Sequence, residues 1–100
     1  MKRGDKYAMD NSPARFLPGA VCATPATLEV LSRAHLLQLL EQHLRGDWGD
    51  TCKNDWVANE RAICNGDRIV SWYQLSGKTR VLIITEADRS ATTIMLAEEY

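Results

Sequence analysis

One hundred residues, 45% of them apolar and with three Trp, three Tyr and one Phe, supply one modest core; a second would leave each half too small to offset its chain entropy. Twelve basic against thirteen acidic residues leave a net charge of −1, and no segment gathers the Lys/Arg excess that a run of phosphates demands, so nucleic acid is not favoured as a partner. Three cysteines without close spacing fit free thiols in a reducing cytoplasm better than a disulfide framework, and the longest apolar run, Val81 to Ile84, is far too short to cross a bilayer.

Residues 1 to 15, MKRGDKYAMDNSPAR, are polar and aperiodic and read as a flexible N-terminal tail. Lys2, Arg3 and Lys6 are followed by no apolar run, so the centre of a secretory signal is missing and a cytoplasmic, membrane-free protein is expected. Residues 16 to 100 form the expected single domain. Around Val21, Pro18 and Gly19 interrupt an apolar stretch, which leaves room for a short N-terminal edge strand near Gly19 to Ala23. Thr24 before Pro25 matches an N-cap with proline at the first helical position, and Ser32 can restart the helix. From Arg33 to Leu44, Leu36, Leu37, Leu40 and Leu44 recur at helical spacing and predict an apolar stripe.

Beyond the loop HLRGDWGDTCKNDW, Trp56, Val57, Ile63 and Cys64 predict one face of a helix over about Lys53 to Asn65, stopped by Asn65-Gly66. The period then changes to two in Ile69 to Leu75, β-branched residues dominate Val81 to Thr85, and alternation returns in Ala91 to Leu96. The expected architecture is α+β: two or three helices packed on a three-stranded antiparallel β-meander.

Two polar clusters carry the candidate site. In HLRGDWGD, Gly46 suits a helix stop, Asp50 or Thr51 suits the next N-cap, and Trp48 suits a plug between diverging helices. The functional reading instead groups His43, Asp47, Asp50 and Glu60 as ligands or an acid–base pair, although the spacing matches no defined metal or cofactor motif. His35 and His43 lack partner spacing and are expected at the surface or half-buried, while Cys64 is expected as a small core residue. In TEADRSATT, Asp88 and Arg89 suit a tight turn, and Thr85, Ser90, Thr92 and Thr93 suit hydrogen bonding across a ladder. Glu86, Asp88, Arg89 and Ser90 would converge at one end of the sheet, where Arg89 is expected to pair with Asp47 or Asp50 and so join the two clusters.

The order HLRGDWGD, NERA, RIVSWYQL and ITEADRSATTIMLAEEY, over about residues 16 to 100, resembles a family of small proteins of bacterial plasmids, integrative elements and phage-like islands. Its members carry labels such as plasmid-related protein or type I restriction subunit M. The resemblance implies a cytoplasmic accessory protein of a mobile element and no particular activity. Ala97 stands where the family often has proline, and Cys52 also departs from the pattern. The chain has neither a glycine-rich cofactor loop after a strand nor an Asn-Pro-Pro-Tyr-like segment, so nothing supports a methyltransferase. The first expectation is a non-enzymatic protein-binding or regulatory module that needs no cofactor and uses Trp48 and the two clusters as its surface. The alternative is a small metal-assisted hydrolase or nuclease built on the same carboxylates and His43.

Overall fold

The computed structural model of the chain describes residues 13 to 100, so the expected tail lies outside the described residues except for Pro13, Ala14 and Arg15. Arg15 is not loose: its backbone N–H donates to the Leu44 carbonyl at 2.8 Å, and its guanidinium forms a two-pronged pair with Glu60. A short strand, β1 (Ala20–Ala23), leads through Thr24 into α1 (Pro25–Val30) and α2 (Arg33–Leu44). Both expected N-caps form, with Thr24 accepting from the Thr27 N–H and Ser32 from the His35 N–H.

After the Gly46 to Cys52 connection, α3 (Lys53–Asn65) ends at Gly66 in the left-handed region, φ 74°. Strands β2 (Ile69–Gln74), β3 (Arg80–Thr85) and β4 (Ala91–Leu96) follow, with a 3-10 turn over Ala97–Glu99.

The antiparallel meander β2–β3–β4 is present, but the sheet has four strands in the order β1-β4-β3-β2 and is mixed, because β1 pairs parallel with β4. This corrects the expectation of a purely antiparallel meander. Four residues without alternation carry no pairing direction in their sequence. Gly19 sets it instead: at φ 67° it lies so close to Arg89 and Ser90 that an added Cβ would fall 2.4 Å from their backbone. Ala20 then donates to the Ser90 carbonyl.

One sheet face carries Tyr73, Val81, Ile83, Ile94 and Leu96 against Leu31, Leu36 and Leu39. A second cluster gathers Trp48, Ala62 and Ile69 with Phe16 and Ile63. The stripe on α2 is rotated from its expected position: Leu36, Leu39 and His43 are buried, whereas Leu37 is 53% exposed. On α3 the expected apolar face is also displaced, since Trp56, Val57 and Cys64 are exposed and the buried residues are Asn59 and Ala62. The reason is that α3 lies along the edge of β2. Asn59 donates its side-chain N–H to the Val70 carbonyl at 2.7 Å and accepts from the Val70 N–H at 3.1 Å, so an amide does there what a neighbouring strand would do.

Candidate functional site

The loop Gly46 to Thr51 completes the same edge. Trp72 donates to the Trp48 carbonyl and to Thr51 Oγ1, the Trp72 carbonyl accepts from Asp50 N–H at 2.7 Å, and Asp50 Oδ2 accepts from Gln74 N–H at 2.7 Å. Asp50 and Thr51 therefore hold β2 rather than the start of α3, whose N-cap, Cys52, makes no side-chain bond. Asp47 accepts from Gln42 Nε2 and from the Gly49 N–H, which shapes the turn. Gly49 sits at φ 70°, where an added Cβ would lie 2.1 Å from the Trp72 carbonyl oxygen and 2.5 Å from the Tyr73 ring. Gly49→Ala is expected to cost about 2 to 4 kcal/mol through strain and collision, read as a lower urea midpoint with unchanged slope. A loss within about 0.5 kcal/mol would show that the loop is not docked in this way.

Trp48 is fully buried. Its ring stacks on Phe16 at 6.1 Å between centroids and meets the His43 edge at 5.8 Å, while Nε1 donates to Glu60 Oε2 at 3.0 Å. Glu60 thus receives both Trp48 and Arg15, and the hydrogen bonds from Arg15 are the main cause that holds its carboxyl below the usual range.

His43 is the principal departure from expectation. It is fully buried, not half-exposed, and lies with Ser71, Thr85 and Thr92 in a polar row between the two apolar clusters. Nδ1 pairs with Ser71 Oγ, Nε2 pairs with Thr85 Oγ1 at 2.9 Å, Thr85 Oγ1 pairs with Thr92 Oγ1 at 2.7 Å, and Thr92 Oγ1 donates to the Pro18 carbonyl at 2.8 Å. The carbonyl end can only accept, and this sets the direction of the whole chain. Thr92 gives its proton to Pro18 and must accept from Thr85; Thr85 must accept from His43 Nε2–H; Nδ1 is left to accept from Ser71. A neutral imidazole carrying its proton on Nε2 satisfies every member, and burial pushes the His43 pKa down to about 3.

The second cluster is likewise folded inward at its key residue. Arg89, at φ 60°, donates to the carbonyl oxygens of Asp67, Glu86, Ala87 and Ala62, and its guanidinium lies 5.7 Å from the Phe16 ring centroid. Through the Ala62 carbonyl, which also accepts from the Gly66 and Asp67 N–H groups, it reaches the C-terminal end of α3, where a cation is favoured by the helix dipole. The expected pair with Asp47 or Asp50 is absent, since those carboxylates hold Gln42, Gly49 and Gln74. Asp88 accepts from the Ser90 side chain and N–H, which lowers its pKa, and the Ser90 carbonyl receives Ala20.

The clusters therefore meet through His43 and Thr85, inside the protein, and not in a shared cleft. Asp47, Asp50, Glu86, Asp88 and Ser90 remain at the surface. Among the described residues no group of three His, Cys, Asp or Glu side chains is placed to hold a metal ion. Ser71 and Phe16 were not legible as partners of His43. The available signals were the spacing of His43 four residues after Leu39 and the position of Ser71 between Ile69 and Tyr73 in the alternation.

The Ser71–His43 contact has the atoms of a nucleophile and its base, but two features deny it that chemistry. Both side chains are fully buried, so no substrate carbon reaches Ser71 Oγ, and a base with a pKa of about 3 draws protons poorly near neutrality. Comparison with protein-family models, with curated proteins and with solved structures finds no match in any of the three.

Proposed function

We propose that the chain is a non-enzymatic accessory protein of a bacterial mobile element that works by binding another protein chain. The mobile-element part rests on the resemblance carried by HLRGDWGD and ITEADRS. The binding part is supported by one contrast above all: the Ser71–His43 pair is closed into the interior, while one edge of the sheet meets no partner among the described residues. At β1, Ala20, Val21 and Cys22 are exposed, and apolar Leu28 and Val30 of α1 are 58% and 52% exposed nearby in the chain. Such an edge offers main-chain hydrogen bonds to an incoming strand. No helix among the described residues is long and apolar enough to cross a membrane.

The test is access to His43. Treatment of the folded protein with diethylpyrocarbonate, followed by peptide mass mapping, is expected to modify His35 and spare His43. A parallel thermal-shift series with divalent metals is expected to show no specific stabilisation. Modification of both histidines at similar rates, or a metal-dependent rise abolished by the Asp47→Ala, Asp50→Ala double substitution, would instead favour the hydrolase.

A further inference from the structure

We propose that the outer edge of β1, unmet among the described residues, pairs with the β1 edge of a second copy of this chain, antiparallel about a two-fold axis at Cys22, so that two four-stranded sheets become one. The inference rests on the protein-binding reading above and names its partner.

The two edges of the sheet are treated differently. Along β2, the outward backbone groups of Val70, Trp72 and Gln74 are met by Asn59, Trp48, Asp50 and Thr51. Along β1, Ala20 and Thr24 donate inward to the Ser90 and Ile94 carbonyls, so strand alternation turns the backbone N–H and C=O of Val21 and Ala23 outward. No described residue meets them. The strand contains no charge and no proline, two of the devices that blunt an edge, although its four-residue length, bounded by Pro18 and Pro25, limits how far pairing can run.

A second copy fits because the edge is its own complement. Val21 of one chain meets Ala23 of the other, and the reverse, each pair exchanging an N–H and a C=O. Cys22 then faces its own counterpart in the position without hydrogen bonds, where Cα atoms stand about 4.5 Å apart. That lies within the range of about 4.4 to 6.8 Å that a disulfide spans, which turns Cys22 into a reporter of the register. Opposed residues share a face, so Val21 lies beside Ala23 on the helix side, and no like charges oppose each other. A strand pair of this length alone buries less than the roughly 800 Å² per partner of a stable interface. Exposed Leu28 and Val30 extend the apolar surface on α1, which contacts β4 beside this edge. The dimer is accordingly weak, with Kd on the order of 10–100 µM.

The test combines sedimentation velocity in reducing buffer, up to about 1 mM protein, with diamide cross-linking. The expected result is a concentration-dependent dimer and an oxidised dimer that falls roughly tenfold or more in Cys22→Ser but persists in Cys52→Ser and Cys64→Ser. Val21→Lys and Ala23→Pro are each expected to abolish dimerisation with the far-ultraviolet circular dichroism unchanged. Three results would overturn the proposal: a monomer at every concentration, a cross-link carried by Cys52 or Cys64, or a Val21→Lys chain that dimerises like the parent. A monomer refutes self-pairing and leaves the protein-binding reading in place, whereas a reactive His43 refutes that reading whatever the oligomeric state.

Discussion

Trp48→Ala is expected to lower the unfolding free energy by about 3 to 5 kcal/mol, the range for truncating a buried aromatic. Trp48 is fully buried in the cluster with Ala62 and Ile69 and stacks on Phe16, so its removal opens a cavity where the Gly46 to Cys52 loop, α3 and β2 meet. It also takes from Glu60 the donor at Nε1, leaving Arg15 as the partner that remains. Urea titration followed by circular dichroism measures the loss. A change near zero, with the tryptophan emission spectrum unaltered, would mark Trp48 as an exposed aromatic and contradict the docked loop.

The second large effect is expected at His43. His43→Ala removes a buried ring and leaves Ser71 Oγ–H without its acceptor, so a loss of about 3 to 5 kcal/mol follows from the cavity and the stranded polar group together. Because the residues act as one network, the double substitution with Ser71→Ala should cost less than the sum of the two singles. Full additivity in that cycle would show that the two side chains do not interact.

His43 also fixes a dependence on pH. Unfolded, it takes up a proton near its ordinary value of 6.5; folded, it stays neutral down to about 3. Between those values the unfolded chain binds more protons, so the contribution is complete above about pH 6.5 and is lost as pH falls toward 3. From about pH 6.5 to 4.5 the loss amounts to roughly 2 kcal/mol, and His43→Ala should flatten that part of the profile. Glu60, whose pKa is lowered chiefly by its hydrogen bonds with Arg15, acts in the same direction but below its ordinary carboxylate value. An unchanged slope in His43→Ala would assign the acid sensitivity to other groups.

Local signals in the sequence carried the elements well where capping or alternation was strong. Thr24-Pro25, Ser32 and Asn65-Gly66 mark helix ends that the structure places at the same residues, and the alternation of Ile69 to Gln74 and Ala91 to Leu96 gives strands with those faces. What local patterning does not contain is the identity of the neighbour. On α3 the apolar residues Trp56 and Val57 suggested a buried face, but the helix lies on a strand edge, where Asn59 is worth more than a valine because backbone groups need partners. The parallel direction of β1 depends on Gly19 meeting Arg89 and Ser90, far along the chain, and no nearby residue encodes it.

The candidate site divides in the same way. The plug position of Trp48 and the turn at Asp88 and Arg89 follow from local chemistry, whereas the partners of Arg89 are carbonyls, which are present at every position and leave no mark in a sequence. A leucine-rich stripe marks its leucines as the buried positions and gives no local sign that His43 joins them. The face that buries Leu36 and Leu39 also carries residue 43, and a histidine there can be buried only if hydroxyls await it across the sheet.

The most direct measurement is a nuclear magnetic resonance titration of the His43 ring, with its nitrogens observed, from about pH 8 to about pH 4. The account predicts that His43 remains a neutral ring protonated on Nε2 throughout. A His43 ring that titrates near its ordinary value in the folded protein, or one protonated on Nδ1, would contradict the closed Ser71–His43–Thr85–Thr92 network.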